Sequence, residues 1–209
     1  MKFKHYVSFT FFSVFFSLMP VASGMAAELS APQVAIADAS DKLQQRMKDK
    51  GFIKDFNKVT QFVDQTIYPH VDFDKISALV LGKSWKTATP DEQVRFKKEF
   101  QTLLVRTYSR AFSEFKEWSI RFLPSEMEEG ATKVIVKTEV LQPGVQPIAV
   151  NYRMYLNGNE WKAYDIMIEG VSLVTNYRTT FSDEIQTKGS LNAVIDNLAK
   201  RNADALKNS

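Results

Sequence analysis

The sequence predicts an α+β fold, a four-stranded antiparallel meander sheet with helices packed on its apolar face. Three observations carry this reading. Apolar residues recur every three or four positions up to about residue 115, the period drops to two between Ser119 and Ile168, and helical spacing then returns. The dipeptides Glu129-Gly130, Pro143-Gly144 and Asn157-Gly158 fall between the alternating runs and supply the backbone conformations that tight turns demand. No low-complexity linker, internal repeat or heptad array divides the chain, so a single unit over residues 28–209 is the economical answer.

The amino terminus reads as a cleavable secretory signal over residues 1–27. Lys2 and Lys4 precede an apolar run from Tyr6 to Met19, which is followed by Pro20 and small residues up to Ala27. The run is shorter than the roughly 20 apolar residues a bilayer span needs, so cleavage after Ala26 or Ala27 is expected rather than anchoring. Removing this segment leaves 25 basic against 24 acidic residues. The high pI is therefore a property of the leader, and a nucleic-acid partner is not expected. The chain has no cysteine, which removes disulfides, thiol nucleophiles and zinc-thiolate sites.

The elements follow in order. Residues 31–50 form a weakly amphipathic helix (Ile36, Leu43, Met47) stopped by Gly51. Phe56, Val59, Phe62, Val63 and Ile67 make a second helix from Asp55 to Tyr68, ended by Pro69. Asp72 can cap a short third helix with Ile76, Leu79 and Val80 inward, and Gly82 is placed to end it in a left-handed conformation. Thr89-Pro90-Asp91-Glu92 is a strong start for the longest helix, with Phe96, Phe100, Leu103, Leu104, Tyr108, Phe112 and Phe115 on one face. The strands run through Ile120 and Phe122, then Val134, Val136 and Val140, then Ile148 to Leu156, then Trp161 to Ile168, where Tyr164, Ile166 and Ile168 share the core face. Gly170 ends the sheet, and two closing helices run from Val171 to Ile185 and from Ser190 to Leu206.

Catalytic signatures are absent: there is no HExxH, Walker loop, GxGxxG or GxSxG. His70 lies near Asp72 and Asp74, and this group reads as helix capping in a solvated turn rather than a metal or general-base site. Asp165 and Glu169 fall on the face opposite the core by alternation and read as structural, holding the start of the next helix. The basic flank Arg95, Lys98, Arg106 and Arg110 reads as a solvated stripe. No catalytic or metal-binding residue is assigned. The aromatic face of the long helix suits a core, and its quantity also suits the lining of a cavity.

Two blocks carry a family likeness. Ala78-Leu79-Val80-Leu81-Gly82 through Trp85, Ala88-Thr89-Pro90, Phe96, Phe100, Leu103-Leu104 and Thr107-Tyr108 form the first. Trp161 to Ile166, Glu169 to Val174 and Tyr177-Arg178, with Gly189 and Leu191 closing, form the second. Over the chain from about residue 35 the sequence resembles the MlaC or toluene-tolerance (Ttg2-type) family of periplasmic phospholipid-binding proteins. The resemblance implies a deep hydrophobic cavity that holds the acyl chains of a phospholipid, carried as cargo and not as a cofactor. It implies a monomer in the periplasm that shuttles lipid between an outer-membrane lipoprotein complex and an inner-membrane ABC transporter complex with an MCE-domain ring, maintaining outer-membrane lipid asymmetry. Within the matched blocks it implies lipid contacts from Leu79, Phe100, Leu104, Tyr108, Tyr164, Ile166, Ile168, Val171, Val174 and Tyr177. Phe112, Val136, Val150 and Tyr152 join them on periodicity alone. Two other classes stay open beside the carrier: a protein-binding adaptor docking through the last helix, and an enzyme on a cone-shaped α+β scaffold using Asp165, Glu169 or Tyr164.

Overall fold

The computed structural model describes residues 28–49, 51–113, 117–124 and 127–207. The leader expected over residues 1–27 lies outside the described residues. Helix α1 (Ala31–Met47) opens with a reciprocal cap between Ser30 and Gln33 and turns Ile36 and Ala39 inward. Helix α2 (Phe56–Phe62) is capped by Asp55, whose carboxylate accepts from the Lys58 amide at 3.1 Å. The single helix expected up to Tyr68 does not form. After Phe62 the backbone widens into a π turn over Val63–Ile67, then tightens into a 3₁₀ turn over Tyr68–His70. Pro69 has no N–H to offer the carbonyl of Gln65, so the regular ladder cannot continue through it.

Helix α3 (Phe73–Leu81) starts at Asp72, whose carboxylate accepts from the Lys75 amide at 2.8 Å. Its stop at Gly82 uses φ 56° and ψ −113°. This is a positive-φ conformation distinct from the left-handed helical one expected, and one that glycine alone enters easily. It feeds directly into α4 (Lys83–Thr87), a short helix not among the elements expected from the sequence. Helix α5 (Pro90–Ser113) opens on the anticipated capping box: the Thr89 amide donates to Glu92 at 2.9 Å and the Glu92 amide to Thr89 Oγ1 at 3.2 Å.

The sheet contains β1 (Ser119–Phe122), β2 (Lys133–Leu141), β3 (Ile148–Asn157), β4 (Glu160–Ile168) and β5 (Val171–Ser172), antiparallel and in sequential order. The meander is therefore as expected with one strand added. Glu169 and Gly170, with φ of 49° and 80°, form a tight hairpin that returns β5 against Met167 and Ile168. Helix α6 (Leu173–Lys188) then starts, and Gly189, with φ 82°, separates it from α7 (Leu191–Lys207). Helices α3, α5, α6 and α7 close a core of Phe73, Ile76, Val80, Phe96, Phe100, Phe181, Val194, Ile195 and Leu198. Two smaller clusters lie beneath α1 and α2: Ile36 with Val136, Met154 and Ala163, and Phe52 with Val59 and Val105.

Candidate functional site

Between the sheet and the helices lies a cavity of about 350 Å³. Its sheet wall is Ile120, Val140, Val150, Tyr152, Ala163, Ile166 and Ile168. Phe100, Leu104, Val105 and Tyr108 from α5, with Leu173, Val174 and Tyr177 from α6, form a second wall. The third comes from the amino-terminal segment: Ile36, Ala39 and Leu43 of α1, Val59 and Phe62 of α2, and Val63, Ile67, Tyr68 and Val71 beyond it. An interior surface this apolar cannot stabilise ions or polar solutes, and it matches hydrocarbon.

Polar groups inside are few and mostly committed. The Tyr108 and Tyr177 hydroxyls are neighbours. Burial, with the neighbouring Tyr177, pushes Tyr108 up to about 12, and burial does the same for Tyr152. Tyr68 is raised further by burial and by the nearby Asp64 charge. All three therefore stay neutral at any physiological pH. His70 Nε2 lies 3.5 Å from Asp38 Oδ2, and Asp38 is held below its usual range first by Lys42 and then by His70. No group of three or more ionisable metal ligands occurs among the described residues.

Asp165 is 2% exposed and has both carboxylate oxygens engaged. Oδ1 accepts from the Val174 amide at 3.1 Å and Oδ2 from Ser172 Oγ at 2.7 Å. Ser172 Oγ in turn accepts from the Thr175 amide at 3.0 Å. Asp165 thus ties the end of the sheet to the first turn of α6, and so places Leu173, Val174 and Tyr177 around the cavity. Arg153 stands 3.5 Å from the same carboxylate on its outer side. Glu169 has another task, accepting from the Ala149 amide across β3 and β4.

Nine residues singled out in the sequence line the cavity: Phe100, Leu104, Tyr108, Val150, Tyr152, Ile166, Ile168, Val174 and Tyr177. The others fall elsewhere. Tyr164 is the extra residue of a β-bulge, because Met154 pairs with Ala163 while the adjacent Arg153 pairs with Asp165. The bulge reverses the alternation, so Ala163 and Ile166 both face inward and Tyr164 turns to the outer face, its ring against Tyr155. Asp165 stays opposite Arg153 in register, as the alternation with Ile166 and Ile168 assigns it, and is buried because its carboxylate is covered by Ser172 and the first turn of α6. Val171 belongs to the β5 hairpin and not to a helix, and it is 58% exposed. Val136 is fully buried but sits where α1 closes on the sheet through Ile36 and Met154, leaving no space beside it. Leu79 lies off the Phe73, Ile76, Val80 stripe of α3 and touches no part of the cavity. Phe112 falls on α5, with its side chain outside the described residues.

The sequence reading missed the whole amino-terminal wall. The signal for it is the helical spacing of Phe56, Val59, Phe62, Val63 and Ile67, which marks an apolar helix face without saying what that face lines. The expected basic stripe is in part an interhelical seam. Arg95 donates to Asn192 at 2.8 Å and also binds Asp196, while Arg106 donates to the Arg201 carbonyl at 3.1 Å. Lys98 is exposed.

Fold and site together define an α+β protein built around an apolar cavity whose walls come from both layers. The chain belongs to the MlaC protein family, whose model matches residues 37–200. It is 29% identical over 152 residues to the intermembrane phospholipid transport system binding protein MlaC of Haemophilus influenzae, covering 69% of this chain and 70% of that one. The toluene tolerance protein ttg2D of Pseudomonas putida is 28% identical over 146 residues, covering 68% and 67% respectively. The phospholipid-binding protein from Ralstonia solanacearum, solved in complex with a phospholipid, superimposes with a TM-score of 0.76 at 31% identity, over 84% of this chain and 98% of that one.

Proposed function

We propose that this protein is a periplasmic phospholipid carrier that shuttles lipid between outer-membrane and inner-membrane complexes, without catalysis, and so maintains outer-membrane lipid asymmetry. The observation that carries the reading is the cavity of about 350 Å³ walled by apolar side chains from the sheet, α5, α6 and the amino-terminal helices. A relative of the same fold is described with a phospholipid bound. Two acyl chains contain roughly 30 methylenes, whose exposure to water costs on the order of 25 kcal/mol at about 0.8 kcal/mol each. Spontaneous release into water is therefore negligible. A bilayer offers the same gain, so loading and unloading take place in contact with membrane-bound partners, and direction is imposed by them.

In this reading the nine cavity residues named above touch acyl chain, the leader over residues 1–27 directs export, and the partners are an outer-membrane lipoprotein complex and an inner-membrane ABC transporter complex with an MCE-domain ring. Asp165 serves as a structural clamp. Organic extraction of the purified protein followed by mass spectrometry tests the proposal: about one two-chain lipid per protein is expected. Lipid-free protein from cells that also takes up none on mixing with the transporter would overturn it. A turnover reaction abolished by Asp165→Asn in a folded protein would replace it with an enzyme.

A further inference from the structure

The outer face of the sheet, on the side away from the cavity, carries a second concavity of about 730 Å³. Lys133, Ile135 and Lys137 of β2 form one side, Arg153 and Tyr164 the other, and Pro124, Met127 and Glu128 of the β1–β2 connection a lip. Lys133 and Lys137 have no ion-pair partner among the described residues, whereas Arg95, Lys97 and Arg201 on the helical side each meet a carboxylate. Arg153 faces the buried Asp165, and Lys75 lies over the Tyr155 ring, 3.5 Å from its centroid, and beside Tyr164. The face is cationic, and Glu128 is the acidic residue among the described residues that line it.

Among the described residues, the same place has a strand edge with no pairing strand. β1 pairs with β2 from Leu141 down to Thr138, and the last bond on that side is from the Leu123 amide to the Lys137 carbonyl. Both backbone polar groups of one residue point to the same side of a strand, and the side alternates along it. The N–H and C=O of Lys133 and Ile135 therefore point to the edge that Lys137 shares with β1. Among the described residues no strand pairs with them there.

We infer that the β2 edge at Lys133–Lys137 is a docking site for an extended acidic segment of a partner protein, which adds as a strand alongside β2. Backbone pairing would hold the segment, and side chains would select it. Lys133 and Lys137 lie about 13 Å apart at roughly 3.3 Å per residue, with Ile135 between them on the same face. The fitting sequence places two carboxylates four residues apart with an apolar residue midway. A lipid surface fits less well, since its phosphates accept hydrogen bonds but cannot donate to the bare carbonyls, and it is flat where this face is concave.

A random dodecapeptide display library, selected on the full protein and counter-selected on the K133E/K137E variant, tests this. Enrichment of peptides with the acidic, apolar, acidic spacing is expected, with affinity falling at least tenfold in K133E/K137E and in 0.5 M salt. N-methylation of alternate amides in the best peptide should abolish binding in one phase and spare it in the other. Lipid content of the variant should stay unchanged, which separates this site from the cavity. No enrichment over the counter-bait, or enriched peptides indifferent to N-methylation in either phase, would overturn the inference. So would binding to phosphatidylglycerol vesicles that K133E/K137E loses while peptides of the stated pattern bind neither form.

Discussion

The two halves of α5 carry the same apolar periodicity and end in different surroundings. In the first half Phe96 is fully buried, stacked near Phe100 and met edge-on by Phe181, with the α7 seam of Val194, Ile195 and Leu198 closing over it. In the second half Leu104 and Tyr108 project from the same stripe, yet the wall opposite is the sheet, and space of about 350 Å³ separates them from it. Phe100 belongs to both, 1% exposed and lining the cavity at its inner end. The difference teaches that an apolar stripe specifies burial but not closure. Closure depends on whether an interdigitating partner helix stands opposite, as α7 does over the first half of α5.

Truncation should expose this contrast most strongly at Phe96. Phe96→Ala removes a ring enclosed on every side and should cost about 3–5 kcal/mol, read by urea unfolding, with lipid content per folded molecule retained. Leu104→Ala should cost less, about 2 kcal/mol, because its side chain already faces space. Equal losses at the two sites would mean that the second half of α5 is packed as a core. A charge at the same position sharpens the test: Leu104→Glu should empty the cavity of lipid, measured by mass spectrometry, while Val171→Glu on the exposed hairpin should leave it loaded. Further down in size, Thr89→Ala should lower stability by about 1 kcal/mol through loss of the α5 cap and leave lipid content untouched.

The smallest effect appears only in alkali. Tyr108 and Tyr152, both on the cavity side, ionise near 12 in the folded protein and near 10 when unfolded. A raised folded value means that the native state keeps its protons while the unfolded state sheds them. Their contribution is fully present below pH 10 and is lost as pH rises toward 12. Chemical denaturation across that window should show falling stability, flattened in a Tyr108→Phe, Tyr152→Phe double variant. An unchanged slope in that variant would place the alkaline transition elsewhere in the molecule.

Much of the fold was legible in the sequence. The caps at Asp72 and Thr89 and the change of period after the long helix all appear as read. Each depends on groups within a few residues of one another, so local pattern suffices. The candidate site was legible along α5 and on β3, where alternation runs without interruption through Val150 and Tyr152. It failed at Tyr164 and Val171. One inserted residue in β4 and a two-residue hairpin each change which way the chain faces, and neither leaves a mark in the alternation itself.

What the sequence determined by itself was the menu of elements, their order and their apolar faces, together with the absence of thiol chemistry. The tertiary structure alone decided that one face of α5 is half core and half cavity, that Asp165 clamps the sheet to α6, and that Lys133 and Lys137 gather with Arg153 on an outer groove. The physical reason is the range of the interactions. Caps, turns and periodicity act between neighbours in the chain, whereas cavities, bulge register and clustered charge arise from residues that only folding brings together.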